Sequence, residues 1–274
     1  MAQSEQVLDF RVLKRTHTGL FEEDKKRFHR FHELFVLTEG SCTVLIGQHM
    51  YRMQAGDIAL IPARTLHKTD YLDNGSHTKY VISLTKATAA EIDYFLGEEL
   101  TPLCLKAGMV TIPTQRREAI YLLLDRMLYE YENQPPHAHS VTKACLCELL
   151  ISILRYRTQE EEKDGIIDEG IERIQEVTRY LYDHQAEEIT LPQLASHFAV
   201  SPSHLSRTFK DVTGFRLREY LIHLRIQRAC DLLLSTTLSV TEIADRCGFN
   251  DSNYFGDAFR KAIGVSPRDY RKLG

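Results

Sequence analysis

Cysteine and histidine have the widest chemical reach of the side chains in this sequence, and their spacing decides how much of it is usable. Six cysteines stand at positions 42, 104, 145, 147, 230 and 247. Structural zinc needs cysteine or histidine pairs a few residues apart, with a second such pair further along. Only Cys145 and Cys147 are close, as CxC, and no CxxC or Cys/His zinc spacing occurs. The cysteines are therefore expected to be buried free thiols in a reducing compartment. The N-terminal MAQSEQVLDFR carries acids where a signal peptide needs a basic and then an apolar region. The most apolar stretch, Ala144 to Leu154, is short and broken by Glu148, so no membrane span is expected. A cytoplasmic protein fits these features.

The elements that must position any chemistry follow from size and pattern. The chain has 274 residues, 43% hydrophobic and 26% charged, with 14 Gly and 8 Pro, which excludes a disordered or collagen-like chain. Its length suggests two domains. The formal charge of −4 hides an asymmetry: residues 191–274 carry +4 and residues 1–190 carry −8. A basic last third follows an acidic front.

Short β-rich runs separated by Gly or Asn/Gly turns occupy the first 85 residues: Glu33 to Thr38, Cys42 to Ile46, Asp57 to Ile61 and Tyr80 to Leu84. They predict a small sandwich or barrel without intervening helices. Helical spacing takes over at 115–132 and 140–157. Ile120, Leu123, Leu124, Met127, Leu128 and Tyr131 form one stripe, and Val141, Ala144, Cys145, Leu149, Ser152 and Ile153 form another. Asn133-Gln134-Pro135-Pro136 separates the two. Helices this apolar need a partner, either the barrel or a second subunit. Thr158 to Gly165 is polar and without period, as a linker would be.

Beyond the linker the pattern is helical, and its caps are legible. Thr190, Ser201 and Ser266 each precede a first-turn proline, Ser239-Val-Thr-Glu242 is a capping box, and Gly214 and Gly264 sit where helices should end. The segment also repeats itself. Leu194-Ala195, Val200, Leu205, Phe209 and Gly214 recur as Ile243-Ala244, Phe249, Phe255, Phe259 and Gly264, at an offset that moves from 49 to 50 residues. Each copy reads as a short helix with a small Ala, a tight turn and a second helix ending in glycine, which is the helix-turn-helix pattern. Arg216 to Leu234 reads as one helix joining the copies, so two reading heads could enter major-groove segments about 34 Å apart. Phe209, Phe249, Tyr254, Phe255 and Phe259 are expected in the core.

Ile243-Ala-Asp-Arg-Cys-Gly-Phe249, Tyr254-Phe255, Phe259-Arg-Lys261, Gly264-Val-Ser-Pro267 and Tyr270-Arg271 closely resemble the C-terminal signature of the AraC/XylS family of bacterial transcription regulators. Leu194 to Gly214 and Arg225-Ile-Gln-Arg228-Ala resemble the rest of that domain, so the likeness covers roughly residues 168–274. It implies that Ser203, His204, Ser206 and Arg207 face bases or phosphates in the first unit, with Arg207 suited to guanine. In the second unit it implies Ser252, Asn253, Gly256 and Asp257. Asn253 could pair with adenine; the acid at 257 repels phosphate and can only accept from cytosine, so the second head should add less affinity. Lys210, Arg216, Arg225, Arg228, Arg260, Lys261, Arg268 and Lys272 are the implied backbone contacts, with Arg260 and Lys261 offsetting Asp257.

The front half carries a second likeness. His29-Arg-Phe-His32-Glu33 through Gly40, then Gly56-Asp57 through Pro62 and His67, is similar to the two motifs of a cupin barrel. In enzymatic cupins, histidines and a glutamate converge on iron or manganese. The equivalents here are His29, Glu33 and His67, with Arg27 replacing the usual first histidine, so the metal set is incomplete. His32 is an alternative ligand, but its neighbour Glu33 points to the opposite strand face. The same residues could instead hold a small molecule: His29, Glu33 and His67 on sugar-like hydroxyls, Arg27 on an acid group, and Phe31, Phe35 or Tyr71 stacked on the ligand.

Together these readings give an α+β multidomain chain. A cupin-like barrel (1–110) and helices that pair subunits (111–157) precede a linker (158–166) and an all-α domain with two helix-turn-helix units (167–274, units about 190–214 and 239–264). The expected function is a ligand-responsive, sequence-specific transcription regulator, an activator of metabolic genes such as those for carbohydrate use, not an enzyme, with no cofactor or metal. Its expected partners are double-stranded DNA, a small-molecule effector such as a sugar, RNA polymerase and a second copy of itself, with no membrane. Two alternatives stay open: a metal-dependent cupin enzyme fused to a DNA-binding domain, and a constitutive binder whose front half only dimerises.

Overall fold

The computed structural model describes residues 10–19, 29–71, 74–97, 106–157 and 169–272, with the side chains of 169 and 170 excepted. Arg27, Cys104 and the linker at 158–166 lie outside the described residues.

Among the described residues, eight strands build the front: β1 (Phe10–Thr18), β2 (His32–Glu39), β3 (Ser41–Ile46), β4 (His49–Gln54), β5 (Asp57–Ile61), β6 (His67–Tyr71), β7 (Ser76–Leu84) and β8 (Gly108–Thr111). They pair antiparallel into a five-stranded sheet, β1-β7-β2-β5-β8, and a three-stranded sheet, β4-β3-β6. Helices α1 (Lys86–Leu96), α2 (Arg117–Asn133) and α3 (Ala138–Arg157) cover the outer face of the larger sheet.

Strand alternation explains why the apolar runs look continuous. In β2, Leu34 and Val36 pack on the helices, whereas Phe35 and Leu37 face the smaller sheet. In β5, Ile58 and Leu60 face the helices while Ala59 and Ile61 face inward. A strand buried on both faces has no polar side, so it reads as an unbroken apolar string. Asp125 of α2 takes hydrogen bonds from Tyr80 and Lys14, pinning that helix to β7 and β1.

The stripe on α2 is buried against this sheet as the spacing required, through Ile120, Leu123, Leu124 and Met127. The apolar faces that could have paired subunits are therefore covered by the barrel. In α3 the buried face is wider than predicted, adding Leu146, Cys147 and Leu150, while Ala144 is exposed. No helix interrupts the described residues up to 85, as expected, but α1 directly after them was not anticipated, and the spacing also missed β1, β4, β6 and β8. In β1 and β4 the charged residues Arg11, Lys14 and Arg52 are exposed to solvent, and in β6 Lys68 pairs with Asp70, so these strands lack a continuous apolar string.

The rest is helical: α4 (Glu169–Asp183), α5 (Leu191–His197), α6 (Pro202–Thr213), α7 (Leu217–Ser235), α8 (Val240–Arg246), α9 (Ser252–Ile263) and α10 (Pro267–Arg271). Thr190, Ser201, Ser239 and Ser266 each accept from a first-turn amide, and Gly214 and Gly264 end α6 and α9 in the left-handed region. Helix α7 belongs to two cores. Its Tyr220, Leu221 and Leu224 pack with α4, α5 and α6, whereas Ile226, Ala229, Cys230 and Leu233 pack with α8, α9 and α10. One continuous helix thus fixes the two helix-turn-helix units relative to each other.

The smaller sheet lies between the two halves of the molecule. Cys42, Val44, Ile46, Met53 and Tyr71 face the barrel interior, and Leu45, Met50 and the adjoining Leu66 join the core of the first helix-turn-helix unit. Among the described residues no helix is long and apolar enough to cross a membrane. The five described cysteines are buried and free. Burial pushes the Cys230 thiol up to about 12 and Cys247 up to about 11, so neither is a nucleophile at neutral pH.

Candidate nucleic-acid interface and barrel site

The barrel interior brings His29, Glu33 and His67 together. His29 precedes β2, Glu33 lies on the inner face of β2, and His67 opens β6 in the opposite sheet. One ligand atom from each falls within 4.8 Å of the others. His29 Nε2 is 3.2 Å from Glu33 Oε2, and the two imidazole centroids are 4.8 Å apart. Each ring is oriented by the backbone: His29 Nδ1 pairs with the Phe31 carbonyl at 3.0 Å and His67 Nδ1 with the Thr65 carbonyl at 2.9 Å. A neutral imidazole that donates through Nδ1 presents Nε2 as an acceptor. At His67 this leaves Nε2 as an acceptor beside the Glu33 carboxylate, whereas His29 Nε2 is taken up by that carboxylate, and the three together form a polar corner suited to ligand hydroxyls or to a divalent cation.

Of the other residues expected here, Phe35 is on the inner face, Tyr71 closes β6, and Phe31 lies 6.0 Å from His29 between ring centroids. Spacing alone did not reveal Lys79, His77 and His17. The Lys79 ammonium is 5.0 Å from the Phe35 ring centre and 5.4 Å from that of Tyr71, and the Tyr71 and His77 rings are 4.6 Å apart. His17 stands 6.1 Å from Tyr71. The signal was present in Ser76 to Leu84, where His77, Lys79 and Val81 alternate with Thr78, Tyr80 and Ile82.

The second helix of each helix-turn-helix unit displays the side chains expected of it. On α6, Ser203, His204, Ser206, Arg207 and Lys210 are all exposed, while Leu205 and Phe209 anchor the opposite face. On α9, Ser252, Asn253, Asp257, Arg260 and Lys261 are exposed above buried Phe255 and Phe259. Asp251 caps α9 through the amides of Asn253 and Tyr254. Asp257 lies 3.8 Å from Arg260, so the acid at this position is partly neutralised by its own helix.

Two expected roles change. Tyr254 is 43% exposed and not in the core, because it lies on the first turn of α9 beside the gap between the units. There it faces an open groove of about 710 Å³ that is also lined by Ser206, Lys210, Arg216, Arg218 and Asn250. Arg225 borders the same groove, but its Nε and one terminal nitrogen donate to the carbonyls of Gln185 and Glu187, each at 2.7 Å. Its guanidinium also lies 5.7 Å from the Phe249 ring centre. It ties the loop after α4 to the second unit, so part of its guanidinium is engaged within the fold.

Comparison with known proteins adds to this geometry. A model of an AraC-like ligand binding domain matches residues 21–150, and a model of a helix-turn-helix domain matches residues 194–273. The chain is 28% identical over 251 residues to the HTH-type transcriptional activator RhaS of Enterobacter sp. (strain 638), covering 89% of this chain and 86% of that protein. The same activator from Shigella sonnei (strain Ss046) is 28% identical over 249 residues, with 89% and 86% covered. Among solved structures, the C-terminal domain of AraT, a response regulator from Geobacillus stearothermophilus, is 36% identical, with 40% of this chain and 89% of that chain covered and a TM-score of 0.37. With a ligand-binding barrel ahead of paired helix-turn-helix units along the same polypeptide, the chain belongs to the AraC family of transcription regulators.

Proposed function

We propose that this protein is a transcription activator whose DNA affinity is set by a small polyhydroxylated effector, such as a sugar, held in the barrel. The observation that carries the reading is the pairing of an inward acceptor corner, His29, Glu33 and His67, with two outward helices whose exposed faces flank a basic groove. Adjacent hydroxyls can each donate to one acceptor of the corner, and a pyranose ring can stack on Phe35 or Tyr71. Phe31, which precedes β2, would stack on the ligand from that side, and Arg27 would engage any acid group the ligand carries. On DNA, Ser203, His204, Ser206 and Arg207 of α6 and Ser252, Asn253 and Asp257 of α9 would read bases, while Lys210, Arg260 and Lys261 would contact phosphates. Arg225 would hold the two units in register.

A second copy would pair through the outer face of α2, where Leu122 is 64% and Tyr129 is 60% exposed, two helical turns apart. The complex would recruit RNA polymerase in the cytoplasm and would catalyse no reaction. Fluorescence anisotropy with a labelled promoter fragment from the gene's own neighbourhood tests the DNA reading, with binding expected to weaken steeply as salt rises. A thermal-shift screen against a monosaccharide panel tests the effector reading. No binding at low salt would sink the first; no stabilisation by any sugar or sugar acid would favour a constitutive binder.

The acceptor corner also supports a second reading, a metal-dependent cupin enzyme. Stoichiometric iron, manganese or zinc that is lost in His29→Ala and His67→Ala would favour it, and a metal-free native protein would exclude it.

A further inference from the structure

We propose that the short segment 62–68, between β5 and β6, is a mechanical relay joining the barrel corner to both helix-turn-helix units. The proposal rests on the reading of that corner as the effector site.

On its inner side the segment holds both histidines. His67 belongs to it, and the carbonyl of Thr65 fixes the His67 ring through Nδ1. The amide of Arg64 donates to the carbonyl of His29 at 2.7 Å. A ligand that shifts the His67 ring therefore pulls on the Thr65 backbone, and one that shifts His29 pulls on the Arg64 amide through the His29 carbonyl.

On its outer side the same segment touches the two units separately. Arg64 reaches the second unit, its guanidinium 5.4 Å from the ring centre of Tyr270 on α10. Leu66 is buried in the core of the first unit with Leu205, Phe209 and Tyr220. Lys68 lies over the C-terminal glycine of α6: a Cβ on Gly214 would come within 2.4 Å of its side chain. Strand alternation explains the division of labour, because His67 faces the interior while Lys68 must face the opposite way. Arg64 also sits at φ 64°, a left-handed conformation uncommon for a residue with a Cβ and found where surrounding contacts impose it.

The contacts that keep the relay seated are polar and specific. The Tyr220 hydroxyl donates to the Gly47 carbonyl at 2.5 Å, the Thr178 hydroxyl to the Gln48 carbonyl at 2.7 Å, and the Gly47 amide to the Leu66 carbonyl at 2.7 Å. Effector binding can act on DNA affinity only if it favours one arrangement of these contacts over another. The relay supplies two routes, through Leu66 and Lys68 to the first unit and through Arg64 to the second.

Hydrogen exchange measured by mass spectrometry on the full chain tests this with Glu33→Gln as the perturbation, in the native and Arg64→Ala backgrounds. In the native background Glu33→Gln should change exchange severalfold in α6 and in α10. In the Arg64→Ala background the change at α10 should vanish while that at α6 persists. Unchanged exchange in both units, or an equal change at α10 in both backgrounds, overturns the relay. If Glu33→Gln does not fold, His29→Gln perturbs the same corner. Anisotropy with the labelled promoter fragment, run on the same samples, reports separately: native binding with a failed exchange test leaves the regulator reading standing, and no native binding removes it.

Discussion

The hydroxyl of Tyr220 donates to the carbonyl of Gly47 across 2.5 Å, joining the first turn of α7 to the tip of the β3–β4 hairpin. The tyrosine is fully buried, and burial raises its pKa well above the usual phenol range, so it is a neutral donor at every physiological pH. Tyr220→Phe leaves the Gly47 carbonyl without this donor and should cost about 1–3 kcal/mol of stability. Denaturant unfolding at neutral pH checks it; an unchanged midpoint would mean that water replaces the hydroxyl without cost.

Arg207 and Arg225 should separate when both are tested. Arg207 is exposed on α6, so Arg207→Ala should leave the melting temperature unchanged and weaken DNA binding by roughly 1–3 kcal/mol at one position of the site. Arg225 is committed to two carbonyls, so Arg225→Lys should destabilise the fold by about 1–3 kcal/mol, yet leave the dependence of log affinity on log salt unaltered. A reduced salt slope for Arg225→Lys would return this residue to the phosphate contacts.

The turn between the two helices of each unit is built with different residues. Ala199 in the first unit and Gly248 in the second both adopt the left-handed region, at φ 53° and 79°. Ala199→Gly should relieve strain and raise stability by up to about 1 kcal/mol. Gly248→Ala should lower it by at least about 1–2 kcal/mol, since the new Cβ would lie 2.6 Å from the Ala186 carbonyl oxygen. Thermal melts of the two variants, moving in opposite directions, are the check.

Ala244 is fully buried where α8 is crossed by α9. Ala244→Leu should overpack that crossing, at roughly 1–3 kcal/mol, and weaken DNA binding with it. A variant that melts and binds like the native chain would place this helix elsewhere.

His32 gives the fold a pH dependence. Burial, with the cations Arg64 and Lys86 and then His29 adding to it, lowers its pKa to about 4. Its Nδ1 accepts from the Ala63 amide at 3.3 Å, a bond available only to the neutral ring. The unfolded histidine binds a proton near pH 6.5 and the folded one does not, so stability falls as pH drops from about 6.5 towards 4, by up to about 3 kcal/mol. Urea unfolding of the native chain and of His32→Gln between pH 7 and pH 4.5 should show a shallower slope in the variant.

The basic C-terminal third, its caps and its duplicated helix-turn-helix spacing are local properties, and they were legible from residue order. Ser201, Ser239, Gly214 and Gly264 act on amides and carbonyls within one helical turn, so sequence distance and spatial distance coincide. The same holds for His29, just ahead of β2, and Glu33 within it, four residues apart. The exposure of Tyr254 and the two carbonyl contacts of Arg225 were not legible, because their surroundings come from segments distant in sequence: the gap opposite α6 for the tyrosine, and Gln185 and Glu187 for the arginine.

By itself, the sequence determined the more regular strands and helices, the two helix-turn-helix units and the three side chains of the barrel corner, because propensity, capping and alternation are encoded within a few residues. Only the tertiary structure decided that the smaller sheet serves as a shared wall, with His67 and Tyr71 on one face and Leu45, Met50 and Lys68 on the other. Alternation assigns neighbouring residues to opposite faces, but which partner covers each face is set by packing between segments more than 100 residues apart, as between Gly47 and Tyr220. That long-range choice places the barrel corner and the helix-turn-helix units on opposite sides of one sheet.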